Sequence, residues 1–134
     1  MENCIFCKII EKEIPCEKIY EDETALAFLD INPTNIGHTL TVSKKHFENI
    51  NDLPEEIASH IIKIAKKISM ALKKYGAEGV NISVNNGEVA GQIIPHFHIH
   101  IIPRYKGDNL MPWPAKKYKE GEMKETAKKI IEVL

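Results

Sequence analysis

The chain has 134 residues, 43% of them hydrophobic and 28% charged, which suits one soluble globular domain and excludes a disordered chain. Eighteen Lys and Arg against nineteen Asp and Glu leave a formal charge of −1, so the basic field that non-specific nucleic-acid binding relies on is missing. No apolar run approaches the roughly 20 residues needed to cross a bilayer, and the start MENCIFCKIIEKEIP lacks a signal peptide's uninterrupted apolar centre. A cytoplasmic protein with neither nucleic acid nor membrane as partner is expected.

The first apolar segment, Ile5 to Ile10, suits one or two helical turns. Lys18 to Glu21 and Ala25 to Leu29 read as strands around the polar turn Asp22-Glu23-Thr24, a hairpin that Asn32-Pro-Thr-Asn-Ile-Gly37 closes. Thr39 to Ser43 alternates polar and apolar with β-branched residues, as a half-buried strand does, and a histidine precedes it. One long helix follows, with Pro54 in its first turn and Gly76 as its C-terminal cap. Ile57, Ile61, Ile64, Ala65, Ile68, Leu72 and Tyr75 fall on its 3.6-residue period, and Lys63, Lys66, Lys67, Lys73 and Lys74 lie on its other face. Val80 to Val84 is a fourth strand, then comes the polar loop Asn85 to Gln92, then His96 to Ile102 between Pro95 and Pro103. A second amphipathic helix is expected from Glu122 to Val133. Five short strands with few helical crossovers predict an antiparallel sheet with helices to one side, an α+β fold. No linker divides the chain, so one domain over residues 1–106 is expected, with a lysine-rich C-terminal extension over 107–134.

Side chains alternate across a strand, so His96, His98 and His100 share one face while Phe97, Ile99 and Ile101 form the other, the core face. Three imidazoles on one face are poorly explained by packing, since each must satisfy its ring nitrogens. Residues two apart on a strand rise by ~6.6 Å and four apart by ~13 Å, so one ion cannot take all three. Either two of them share a catalytic metal with a distant ligand, or the histidines divide between metal and chemistry. Cys4 and Cys7 form a C-x-x-C pair, half of a tetrahedral zinc site, with His46 and one strand histidine as the available partners. A thioredoxin-like redox motif would instead follow a strand in a βαβ unit. Cys16 is expected as a free thiol, His60 as a helix-surface residue, and the Lys116-Lys117-Lys119 cluster as solvated surface.

Gly37-His-Thr-Leu-Thr-Val-Ser-Lys-Lys-His46, Asn85-Asn-Gly-Glu-Val-Ala-Gly-Gln92 and His96-Phe-His-Ile-His-Ile-Ile102 together resemble the histidine-triad (HIT) family, most closely its Hint branch. The start Asn3-Cys-Ile-Phe-Cys-Lys-Ile-Ile10 and Phe28-Leu-Asp-Ile-Asn-Pro33 are similar to its zinc-bearing members. The resemblance implies a HIT-like fold and a homodimeric nucleotide hydrolase acting at the α-phosphorus of a purine nucleotide, a nucleoside 5'-monophosphoramidase or nucleotidyl hydrolase. It implies His98 as the nucleophile of a nucleotidyl-histidine intermediate, His100 as hydrogen-bond donor to the phosphoryl oxygens or leaving group, and His38 as the outer histidine. Asp30 would take the ribose hydroxyls, with Ile31, Asn85, Gly91, Gln92, His98 and His100 completing the nucleotide site. Zinc would be structural, on Cys4, Cys7, His46 and His96. The family's transferase branch carries Gln at the position of His100, so hydrolysis is implied. A metal-dependent hydrolase using His96 and His98, or a nucleotide-binding protein with vestigial catalysis, are the other readings. Two positions depart from the branch: Ile93 stands where Ser usually offers a hydroxyl to the leaving group, and 20 residues follow Pro114 where the branch usually ends soon after a tryptophan, here Trp113.

Overall fold

A computed structural model describes residues 3–134. The elements in chain order are α1 (Ile5–Ile10), β1 (Lys18–Glu21), β2 (Ala25–Leu29), β3 (Thr39–Ser43), α2 (Glu55–Tyr75), β4 (Gly79–Ser83), β5 (His98–Arg104) and α3 (Glu122–Glu132), with one 3-10 turn at Glu88–Ala90. The strands make one five-stranded sheet in the order β1-β2-β3-β5-β4, every neighbouring pair antiparallel. The protein is therefore α+β, as the strand pattern predicted.

The sheet is covered on both faces. Ala25, Ala27, Ile99 and Ile101 turn to α2 and meet Ile61, Ile64, Ala65, Ile68 and Leu72. Leu26, Phe28, Leu40 and Val42 point the other way and meet Phe6 and Ile9 of α1. The expectation of helices on one side holds for α2 alone, because α1 has its own apolar pair to bury. Cover on both faces also removes the half-buried character expected of β3: all five of its residues are buried, Thr39, Thr41 and Ser43 included. Thr39 Oγ1 donates to Gly37 O and Ser43 Oγ to Lys45 O.

Two glycines fix the frame. Gly76 ends α2 at φ 127°, where its N–H and that of Ala77 reach back to the Leu72 carbonyl. Gly37 sits at φ 102°, and a Cβ there would lie 3.3 Å from Pro103. That close approach seats the residues before β3, His38 among them, against the end of β5.

Tyr75, placed on the apolar stripe by period, is exposed at the last turn of α2. His60 is more than the surface residue expected of it, since its Nε2 lies 2.6 Å from Asp22 Oδ2 and ties α2 to the β1–β2 turn. The fifth strand starts at His98 and runs through Pro103 to Arg104. Pro103 is tolerated because its carbonyl accepts from Asn35 Nδ2 beyond the last β3 pairing, so its missing N–H faces no ladder partner. α3 has no buried residue, and among the described residues no helix is long and apolar enough to cross a membrane.

Candidate active site and metal centre

Four side chains converge at the start of the molecule. Cys4 caps α1, its sulfur accepting the Cys7 N–H at 3.4 Å. A backbone bond from Phe97 N to Phe47 O, 2.7 Å, brings the preceding residues His46 and His96 side by side, their ring centroids 4.7 Å apart. Cys4 Sγ lies 3.3 Å and Cys7 Sγ 3.6 Å from His96 Nδ1, and Cys7 Sγ lies 3.4 Å from His46 Nδ1. Two ligands about 2.3 Å (sulfur) and 2.0–2.1 Å (nitrogen) from a tetrahedral ion would stand about 3.5 Å apart, so these separations are the edges of such a tetrahedron. All four donor atoms lie within 4.8 Å of one another.

The His96 ring is in the state a ligand requires. His96 Nε2 donates to the Ser43 carbonyl at 2.7 Å, which leaves Nδ1 as a lone pair turned to the sulfurs. Burial, with the neighbouring His46 and His98, pushes the His96 pKa down to about 4, so the ring is neutral at pH 7. Burial and the adjacent Cys4 raise the Cys7 thiol to about 11, a penalty on the thiolate that a cation would reverse. An opening of about 550 Å³, lined by Cys4, Ile5, His46 and Ile93 among others, leads to the group. These four residues form a site able to hold a metal ion, the set expected from C-x-x-C, His46 and His96.

A second cluster begins two residues on. His98 and His100 pair across the sheet with Val42 and Leu40 and so share their face. His98 is buried, its ring centroid 4.8 Å from that of His100. Its Nδ1 donates to the His96 carbonyl at 2.7 Å, which leaves Nε2 as the lone pair. The neighbouring ring has the opposite polarity. Thr34 N–H donates to His38 Nδ1 at 3.1 Å, so a neutral His38 carries its proton on Nε2. That N–H reaches His100 Nδ1 at 3.0 Å, so His100 in turn presents Nε2–H. One histidine therefore offers a lone pair and the next an N–H donor. Burial lowers the pKa of His38 and His98, and burial with repulsion from His98 and His38 brings His100 to about 4.

Asp30 follows β2, held by its N–H on the His38 carbonyl, with Oδ1 accepting from Asn32 N and Oδ2 3.8 Å from His38 Nε2. Asp30, His38 and His100 also lie close enough to hold an ion, yet the Thr34 bond places a proton on the His38 nitrogen that would have to ligate it. Among the described residues neither metal-competent group includes His98.

The other expected nucleotide residues differ in their freedom. Ile31 is 87% exposed beside Asp30. Asn85 lies two residues beyond Ser83, which pairs with His100, so it reaches the level of His98, and its Nδ2 lies 3.4 Å from Gly91 O. Gln92 is buried and committed to the loop: Nε2 donates to Glu48 O and Ile94 O, and Oε1 accepts from Gly87 N. It shapes the Asn85–Gln92 loop and has no free donor to offer. Ile93 and Trp113 are 91% and 88% exposed. Two contributors escaped sequence reading: the Thr34 amide, and Phe6, whose ring packs edge-on against both His96 and His98.

A sheet carrying a lone-pair imidazole beside an N–H imidazole, flanked by two cysteines and two histidines able to hold a metal ion, narrows the class of protein. The HIT domain family model matches residues 11–107, and the chain belongs to the HIT family. An uncharacterised HIT-like protein of Methanocaldococcus jannaschii is 58% identical over 105 residues, 78% of this chain and 81% of that protein. An adenosine 5'-monophosphoramidase of Schizosaccharomyces pombe is 38% identical over 130 residues, 96% of each. The crystal structure of a zinc-bound histidine-triad protein from Mycobacterium smegmatis superimposes with a TM-score of 0.79 at 31% identity, covering 99% of both chains.

Proposed function

We propose that the protein is a purine nucleoside 5'-monophosphoramidase or related nucleotidyl hydrolase that works through a covalent histidine intermediate. The observation that carries this reading is the opposite polarity of the His98 and His100 rings. His98 Nε2 attacks the α-phosphorus. The bond from phosphorus to the leaving amine breaks, its electron pair and a proton from solvent going to the amine, and water then displaces His98, its oxygen joining phosphorus and its proton returning to solvent, to release the nucleoside monophosphate. His100 Nε2–H donates to the phosphoryl oxygens as charge builds on them, and His38 holds His100 in that tautomer. Asp30 takes the ribose hydroxyls, Ile31 lies against the nucleoside, and Asn85 and the Gly91–Gln92 turn border the phosphate. The adenosine phosphoramidase activity named for the Schizosaccharomyces pombe relative supports the substrate class.

The ion proposed for Cys4, Cys7, His46 and His96 is Zn²⁺, in a structural role, supported by the donor set and by the zinc-bound relative. With all four positions filled by protein it keeps no open site and supplies no chemistry beyond tying the N-terminus to the sheet. A homodimer is proposed through α2 and the edge strand β4, supported by the exposed Ile62, Met70, Tyr75 and Ile82. Residues 1–106 are proposed as the catalytic domain and 107–134 as an accessory extension. Three free cysteines fit a reducing, cytoplasmic setting.

The test is turnover of an adenosine phosphoramidate and trapping of labelled nucleotide on denatured protein. Label on His98, with activity surviving a chelator, supports the reading. Full turnover by His98→Ala overturns it.

A further inference from the structure

His98 is held in the less common tautomer of a neutral imidazole, with the proton on Nδ1, and two contacts hold it there. One is the His96 carbonyl, 2.7 Å from His98 Nδ1, on a residue whose ring sits between Ser43 O and the cysteine sulfurs. The other is Phe6. It lies between Cys4 and Cys7, is 3% exposed, and is braced edge-on by Phe28 with ring centroids 5.7 Å apart. Its ring stands at 78° to that of His98 with centroids 5.1 Å apart, and at 76° to that of His96 at 5.8 Å. An imidazole that flips about its ring torsion exchanges the positions of nitrogen and carbon, and a buried aromatic wedge against it opposes the flip.

We propose that Phe6 is a positioning residue for His98, and that the four-ligand metal site, by fixing the turn from Cys4 to Cys7, holds Phe6 in place. The N-terminal turn thus does more than close the fold: it sets which nitrogen of His98 faces the substrate. The catalytic consequence rests on His98 being the nucleophile, whereas the tautomer of the nucleotide-free protein does not.

The experiment uses the full chain loaded with Zn²⁺ and labelled with ¹⁵N-histidine, free of nucleotide, and reads the His98 ring nitrogens alongside turnover of an adenosine phosphoramidate. Wild type should show a single Nδ1–H tautomer. Phe6→Ala should show mixed tautomers and a kcat lower by about tenfold or more, the scale on which small misplacements act. Chelation of the wild type should give the same mixture, and re-addition of Zn²⁺ should reverse it. Ile64→Val, in the core on the other face of the sheet, should lower stability and leave the tautomer single. If Phe6→Ala does not fold, Phe6→Leu carries the same expectation. A single Nδ1–H tautomer in the folded, zinc-loaded Phe6 variant overturns the proposal, whatever its turnover. Mixed tautomers with unchanged turnover, in a protein where His98→Ala also stays active, uphold the positioning and overturn the nucleophile instead.

Discussion

His96 and His98 lie two residues apart, are both buried and neutral, and use opposite ring nitrogens. His96 gives Nε2–H to the Ser43 carbonyl and turns Nδ1 to two sulfurs, whereas His98 gives Nδ1–H to the His96 carbonyl and keeps Nε2 free. The residue type is the same and so is the burial. The backbone carbonyl that takes the proton decides which nitrogen of each imidazole keeps its lone pair. His100 is the third case, its tautomer fixed at one remove by the Thr34 N–H through His38.

The largest expected effect breaks the comparison at His98. His98→Ala should abolish the covalent adduct and lower kcat by several orders of magnitude, while nucleotide binding through Asp30 survives. Single-turnover kinetics beside equilibrium binding of the monophosphate would show both halves. His100→Ala removes one donor to developing charge, a loss of roughly 2.7–4 kcal/mol in comparable oxyanion sites, and should leave adduct formation slow but detectable. Equal loss in the two variants would mean that the two rings do not have separate roles.

Much of this was legible in the sequence because it rests on local periodicity. The two-residue period of His96 to Ile102 placed the histidines and the apolar residues on opposite faces, the apolar stripe located α2, and C-x-x-C pointed to the cluster able to hold a metal ion. Ring polarity was not legible, since it depends on which carbonyl the fold turns to each ring, Ser43 O from β3 for His96 and His96 O for His98, and neither was the bond from Phe97 N to Phe47 O that brings His46 to His96. The same holds for Gln92, which the resemblance placed in the nucleotide site and whose amide the fold spends on Glu48, Ile94 and Gly87. His60 likewise needed the β1–β2 turn brought under α2 to acquire its carboxylate partner.

The metal side of the comparison should fail differently. Cys4→Ser or chelation should remove the proposed ion, which at a free concentration about a thousandfold above Kd would contribute about 4 kcal/mol. That corresponds to a fall of roughly 15 °C in Tm for a domain of this size. At a temperature where the protein stays folded, the loss of kcat should remain far smaller than in His98→Ala. Unchanged Tm and metal content in Cys4→Ser would remove the site.

The smallest effect sharpens the feature that both clusters share, the neutrality of their rings. His96 and His100 are both held at about 4, in each case chiefly by burial, and His38 and His98 are lowered by burial as well. Their ordinary value is 6.5, so as pH falls below 6.5 the unfolded chain takes up protons that the folded one refuses. Between about 6.5 and 4 the unfolded state binds more protons, and stability falls as pH falls, while above 6.5 these groups contribute no slope. Carboxylates act later: Glu21, held near 2 by hydrogen bonds from Lys18 and then Lys44, loses its contribution only as pH drops from 4.5 toward 2. Urea midpoints measured from pH 8 to 4.5 in zinc-loaded protein should therefore be flat at first and then decline. His100→Gln, which removes one of the titrating rings, should flatten the decline. Chelator should make the decline shallower, since binding of an ion requires an unprotonated His96 and so weakens as pH falls. A midpoint that holds steady or rises from pH 6.5 to 4.5 would mean that the rings are charged in the folded protein, and an imidazolium at His98 has no lone pair with which to attack phosphorus.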